Sequence, residues 1–333
     1  MAQGAARGDT KVYRIYGGNV TQAYEDFLWT FQAEAEKEES RNGPVMTIPY
    51  PAFLQIMRPK ERVLFDPIRD ANPFFHVMEF IWLMSGSKEL KWINQFNSGF
   101  VKYSDDGQTL PASYGVRWRN HWGFDQIVTV INQLKRDPTS RRAVLGMWDP
   151  GIDLSARGEL GADRPCNTHI YFRIVEGHLN MTVCNRSNDA IWGMLGANIV
   201  HMTYLQELVA HGIGVPMGMY YAFTNNLHVY MNLPRFEKIM ASPGGHTDFY
   251  GKGGVTPYPL LLENESVDMF LEDCRKFIID GLGNFNCQWF HEVAFPIHDV
   301  YLQKEKRNVI IPKIMATDWR LACAQWVERR QSE

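Results

Sequence analysis

The chain has 333 residues, 45% apolar and 13% aromatic, enough to bury a large core in one big domain or two ordinary ones. Its formal net charge is −3, which excludes a general basic field for nucleic acid, so an anionic ligand must be met by a local group of arginines.

The N-terminal MAQGAARGDTK is polar and lacks the apolar stretch of a signal peptide. Residues 20–38 predict an amphipathic helix, apolar early and charged late, broken at Ser40-Arg41-Asn42-Gly43-Pro44. Pro73 opens a segment running to 97, whose FFHVMEFIWLMSG is apolar nearly all round, as in a buried helix. Glu79 lies inside that run, where a carboxylate must be paired, protonated or functional. Residues 123–136 predict another helix, ended by Asp137-Pro138 and followed by the strand-like AVLGMW. HIYFRIV and HLNMTVC, on either side of Glu176-Gly177, predict a hairpin. Residues 198–211 carry helical spacing, with Gly212 at the expected C-terminal position. MGMYYAF and NLHVYM read as strands, and the Gly-, Pro- and Ser-rich stretch 241–260 reads as a surface loop. No apolar run is long enough to cross a bilayer. No repeat or linker divides residues 1–333, so a single α+β domain is the simplest account.

The cysteines are Cys166, Cys184, Cys274, Cys287 and Cys323. Their odd number, without CxxC or Cys/His metal spacing, points to a reduced, cytoplasmic protein with no structural metal site. Cys166 stands in Arg164-Pro165-Cys166-Asn167, twenty residues before Arg186-Ser187-Asn188-Asp189. Only a thiolate attacks, and a nearby guanidinium favours that form. A buried packing cysteine is the alternative. A cysteine hydrolase would need a nucleophile elbow, and Cys166 lacks the G-x-C-x-G surround.

Several separated motifs, in order, resemble the thymidylate synthase family, and in particular its pyrimidine-nucleotide hydroxymethylase branch, over roughly residues 20–235. They are Glu79-Phe80-Ile81-Trp82-Leu83-Met84-Ser85-Gly86, Ser113-Tyr114-Gly115-Val116-Arg117-Trp118-Arg119, and Ser140-Arg141-Arg142 followed by Met147-Trp148-Asp149-Pro150. Further along come Pro165-Cys166, Arg186-Ser187-Asn188-Asp189 with Trp192-Gly193, Asn198-Ile199, and Asn226-Leu227-His228-Val229-Tyr230. Residues 236–333 match poorly. The resemblance implies a large mixed sheet, flanked by helices, that packs against a symmetry mate.

It also implies a site. Cys166 is the nucleophile, Glu79 a general acid and base, and Tyr114 orders the water that takes the C5 proton. Arg186 and Ser187 hold the nucleotide phosphate with Arg41, and Arg141 and Arg142 come from the second subunit of a homodimer. His228 and Tyr230 bind the sugar. Asn198 and Asn167 face the base. Asp189, Trp82 and Gly193 contact 5,10-methylenetetrahydrofolate, the one-carbon donor.

Departures from the family pattern shape the expected reaction. The family's I-W-x-x-W segment reads Gly99-Phe100-Val101-Lys102-Tyr103 here, and the apolar closing tail is replaced by the polar RLACAQWVERRQSE. Both changes admit water to the one-carbon intermediate and favour hydroxymethylation over methylation. Asn167 replaces the family's histidine near O4 of uracil. Met194-Leu195-Gly196-Ala197 is one residue longer than the family's L-P-F. Asn167 suits an amino group at C4, so dCMP is the expected substrate. The alternatives are dUMP, CMP, a methylase, and an inactive nucleotide- or RNA-binding relative.

Overall fold

The structure is a computed structural model describing residues 11–154, 163–242, 244–281 and 283–331. Nearly all of the polar N-terminal stretch lies outside the described residues. Six strands, β1 (Tyr13–Gly17), β4 (Ala52–Ile56), β9 (Met217–Thr224), β7 (His178–Asn185), β6 (Asn167–Val175) and β5 (Val144–Gly146), form one mixed sheet in that order. A second sheet runs β2 (Glu36–Ser40), β3 (Gly43–Thr47), β10 (Leu227–Tyr230) and β8 (Asn188–Asp189). Side chains alternate across the strands, so Tyr13, Ile15, Leu54, Ile170 and Val183 turn to the core. On the opposite face Tyr16, Val144, Tyr171 and Phe223 are exposed.

Helices Val20–Glu34 and Asn198–Ile213 lie against the six-stranded sheet. Helix Pro73–Ser85 forms the next layer. It packs on Asn198–Ile213 and on three helices of the C-terminal part, Val267–Asp280, Phe295–Leu302 and Thr317–Gln331. Residues beyond 235 therefore share one core with the rest. Asn72 caps helix Pro73–Ser85 by accepting from Phe75 N at 3.1 Å, and Gly86 ends it in the left-handed conformation at φ +73°. Every side chain of that helix is buried except Glu79, which is half-buried.

Several expectations need correction. The first helix stops at Glu34, and Glu36–Ser40 is an exposed strand paired with β3. Its run of acidic residues has no apolar face to bury, while the β3 backbone offers a full ladder of hydrogen bonds. Gly212 sits inside helix Asn198–Ile213, and Gly214, at φ +89°, takes the end position. Stretch 241–260 has no regular structure among its described residues, yet Tyr250, Val255 and Leu260 are buried. The Tyr250 hydroxyl ties it to Asp318 Oδ2 at 2.9 Å. All five cysteines are free.

Candidate active site

The β6–β7 pairing builds the nucleophile's surroundings. Asn167 is registered opposite Asn185, which sets Cys166 beside Arg186 at the strand ends. Arg186 N donates to the Cys166 carbonyl at 3.0 Å, and Arg186 Nε donates to the Pro165 carbonyl at 3.0 Å. These bonds hold the guanidinium so that Nη2 lies 4.0 Å from Cys166 Sγ. Trp148 covers the guanidinium, with 5.6 Å between the Arg186 Cζ and the ring centre. Burial pushes the Cys166 thiol up, Arg186 pulls it down, Asp189 raises it, and a hydrogen bond with the Tyr114 side chain lowers it.

Tyr114 opens helix Tyr114–Arg119, which packs tightly on helix Pro73–Ser85 because Gly115 has no side chain. A Cβ there would come within 2.0 Å of the Leu83 carbonyl oxygen. The close approach brings the Tyr114 phenol into the field of both Glu79 and Cys166. Burial is the main reason the phenol stays protonated.

Glu79 Oε2 lies 3.2 Å from His201 Nε2. Burial pushes Glu79 up to about 8 and His201 down to about 3. At neutral pH this contact therefore joins a neutral acid to a neutral imidazole and is no ion pair.

The second sheet supplies the anion and sugar side. Arg41, at the β2–β3 turn, shares a cavity of about 170 Å³ with Ser187, Asn226, His228 and Tyr230. Glu38 and Glu39 also line it. His228 Nδ1 contacts Asn226 Oδ1 at 3.0 Å, and Asn42 Nδ2 donates to the Tyr230 hydroxyl at 3.2 Å. Burial lowers His228, so its ring is held toward the neutral form.

Asp189 caps segment Ala190–Ala197 by accepting from Trp192 N, and it accepts from Tyr230 N at 3.3 Å. Burial raises its carboxyl against the pull of those amides and of His228. That segment is a wide π-helical turn with a break at Gly196. A wider turn takes up the extra residue read in the sequence and leaves Asn198 aimed at Asn188, whose Oδ1 accepts from Asn198 Nδ2 at 3.2 Å. Gly193 is fixed by the same pair, since a Cβ there would meet Asn188 Oδ1 at 2.4 Å.

One expected residue falls elsewhere, and another is sealed in place beside Cys166. Trp82 is a core side chain whose indole donates to the Glu89 carbonyl at 3.0 Å and packs on Phe100, so nothing of it is left for folate. Asn167 is fully buried, and neither amide atom has a hydrogen-bond partner. Arg141 and Arg142 are exposed beside the edge strand β5, away from Cys166 in the chain's own site.

The sequence reading missed His201, Trp148 as the cover of Arg186, and Tyr103. The phenol of Tyr103 lies in the field of Cys166, Asp189 and Tyr230. His201 carried a signal: it follows Asn198 by three residues, which on a helix places both on one face. A second cavity, of about 360 Å³, has apolar and aromatic walls from Phe75, Phe96, Trp192 and Leu233, with Arg69 and Arg235 beside them. An aromatic ring system bearing carboxylates fits that lining. No group of three or more His, Cys, Asp or Glu that could hold a metal occurs among the described residues. No helix among them is long and apolar enough to cross a membrane.

A thiol, a guanidinium, a phenol and a buried carboxyl are thus gathered on this mixed fold. The family model described as thymidylate synthase matches residues 22–241. A deoxyuridylate hydroxymethyltransferase of Pseudomonas phage M6 is 39% identical, over 94% of this chain and 93% of the relative. Another of that name, from Bacillus phage SP01, is 33% identical over 66% of this chain and 60% of its own length. The crystal structure of thymidylate synthase from T4 phage matches in fold, with TM-score 0.55 and 20% identity over 75% of this chain and 90% of that one. The chain belongs to the thymidylate synthase family and is a one-carbon transferase.

Proposed function

We propose that the protein hydroxymethylates C5 of a pyrimidine nucleoside 5′-monophosphate, with dUMP as substrate. The observation that carries this reading is the meeting of Cys166, Tyr114 and Arg186 at one point, with Glu79 beside them. Cys166 thiolate adds to C6 of the base and makes C5 nucleophilic. Glu79, neutral before reaction, supplies and recovers a proton on the far side of the ring. The Tyr114 hydroxyl orders the water that removes the C5 proton. C5 bonds to the donor's one-carbon unit; loss of the C5 proton, with the bond from that carbon to the donor's nitrogen breaking, leaves an exocyclic methylene on C5 while Cys166 stays on C6. Water then adds to the methylene as Cys166 departs from C6, giving the hydroxymethyl group with no oxidation or reduction.

Methylenetetrahydrofolate supplies carbon at the oxidation level of formaldehyde. The walls of the 360 Å³ cavity fit it, Trp192 and Phe75 as ring contacts and Arg69 as a carboxylate partner. Ser187 and Arg41, which line the smaller cavity with His228 and Tyr230, hold the phosphate together with Arg186, and His228 and Tyr230 take the sugar. Arg141 and Arg142 reach the phosphate of a second subunit across the exposed sheet face in a homodimer. Water capture is supported at Phe100, whose ring is drawn into a cluster with Phe75 and Trp82 at 5.4 and 6.1 Å. It is supported too by the polar helix Thr317–Gln331 where the family carries an apolar tail.

Uracil is favoured over the cytosine expected from Asn167 because the relatives of phages M6 and SP01 are named for deoxyuridylate. Asn198 is also the residue type that suits uracil. The second reading, dCMP, keeps one observation in its favour, the unpartnered buried amide of Asn167. Tritium release from C5 of dUMP, dCMP and CMP, with product mass in ¹⁸O-water, tests all of this. The expected result is release from dUMP, one ¹⁸O in the product and no dihydrofolate absorbance. Dihydrofolate formation would make the protein a methylase, and release from dCMP alone would reverse the base.

A further inference from the structure

Where helix Pro73–Ser85 crosses helix Asn198–Ile213, two polar side chains meet inside an apolar layer. Glu79 Oε2 and His201 Nε2 face each other at 3.2 Å, and neither atom has a hydrogen-bond partner. His201 is 1% exposed, and Glu79 Oε2 is sealed from solvent. The imidazole also bonds to the backbone of His76, one turn before Glu79. A helix carbonyl only accepts, so that bond takes the ring's N–H, and with Nε2 turned to Glu79 it falls to Nδ1. Nε2 is then a lone pair, and a carboxylate facing it would be repelled. A protonated carboxyl would donate to it.

We propose that His201 is a positioning residue for Glu79: its Nε2 accepts the carboxyl proton, so Oε2 carries the hydrogen and Oε1 is left toward the nucleotide base. No proton is exchanged with solvent to set this arrangement. It presents an acceptor oxygen to a ring N–H or exocyclic NH, and the proton needed for catalysis is stored on the other oxygen of the same carboxyl. The surrounding groups do not offer an alternative partner. On the same helix His76 is buried, lies in the field of both Arg69 and His201, and is itself held toward its neutral form by burial. From helix Tyr114–Arg119, the Tyr114 phenol faces Glu79. From the β6–β7 ends, Cys166 and Arg186 act on Tyr114.

The proposal deepens the hydroxymethylase reading, and rests on it for the kinetic arm alone. Histidine labelled with ¹⁵N, measured in the full chain at neutral pH, is expected to show His201 uncharged with its proton on Nδ1. A charged ring, or a proton on Nε2, overturns the proposal. Infrared difference spectra against Glu79→Gln are expected to show a protonated carboxyl that titrates near 8. A hydrogen bond to the neutral form holds a carboxyl protonated, so losing the acceptor moves that midpoint down. In His201→Leu, which keeps the site apolar, the drop is expected to be about one pH unit. His201→Gln restores an acceptor near the Nε2 position and returns the midpoint to within a few tenths. An unmoved midpoint in His201→Leu also overturns the proposal. If that variant does not fold, the ¹⁵N measurement on the unaltered protein decides. In C5 tritium release, the kcat limb should follow the infrared midpoint while KM for the nucleotide holds. Failure of the unaltered protein to release tritium would refute the function and leave both spectroscopic arms standing.

Discussion

Cys166 sits under opposed influences. Burial raises its thiol and Arg186 lowers it, so the free enzyme holds little thiolate at neutral pH and the guanidinium sets how much. Removing that charge leaves burial unopposed, which moves the thiol further up. In Arg186→Gln, the pH limb of iodoacetamide alkylation at Cys166 should therefore shift to higher pH. A limb that stays put, or moves down, would show that the guanidinium does not govern the thiol. Cys166, Tyr114 and Arg186 were legible in the sequence because each stands in a short motif whose spacing is local. The Glu79–His201 contact was not. Its members are far apart in the chain, and only the crossing of two helices makes them neighbours. Trp82 misled for the opposite reason. It shares a motif with Glu79, but one helix presents its side chains in different directions, and Trp82 points into the core.

Elements were read well where a chemical boundary marks them. Pro73 gave the start of the buried helix, although the segment was read on to 97 and the helix ends at Ser85, and Glu176-Gly177 gave the β6–β7 turn, with both residues at positive φ. They were read poorly where the boundary is set by a partner strand. Glu36–Ser40 has helix-forming residues and becomes a strand because β3 lies alongside. How closely helices pack was not legible at all. Gly115 looks ordinary in sequence, yet a Cβ would strike the Leu83 carbonyl. Gly115→Ala should push helix Tyr114–Arg119 off its neighbour and cost about 1–3 kcal/mol, as overpacking does. Thermal denaturation measures that cost. Tritium release should fall further than nucleotide affinity, since Tyr114 moves with its helix. Unchanged stability would show that the interface can yield.

For the whole molecule, one face of the six-stranded sheet remains open and carries Tyr16, Val144, Tyr171 and Phe223. Phe53 and Tyr221 stack across neighbouring strands there at 5.8 Å. In the homodimer proposed above, that face would meet a second copy related by a two-fold axis, with Arg141 and Arg142 beside the edge strand. Sites shared in this way can be restored by mixing. Cys166→Ser and the double variant Arg141→Ala/Arg142→Ala should each be inactive. After subunit exchange, half the dimers are mixed and each has one intact site, so about a quarter of normal activity should return. No recovery between folded, dimeric variants would place each site within one subunit. The α+β class and the order of motifs were legible because they lie in regular elements. The contribution of residues beyond 235 was not, since its buried Tyr250 and Leu260 come from a stretch with loop composition.

Asp70 lines the 360 Å³ cavity and is held by Arg329 Nε at 2.9 Å and Arg330 Nη2 at 2.8 Å. One wall of that cavity is thus pinned by side chains some 260 positions later in the chain. The last turn of helix Thr317–Gln331 reaches back across most of the chain, and a change at Arg329 or Arg330 is felt in the wall of that cavity through Asp70.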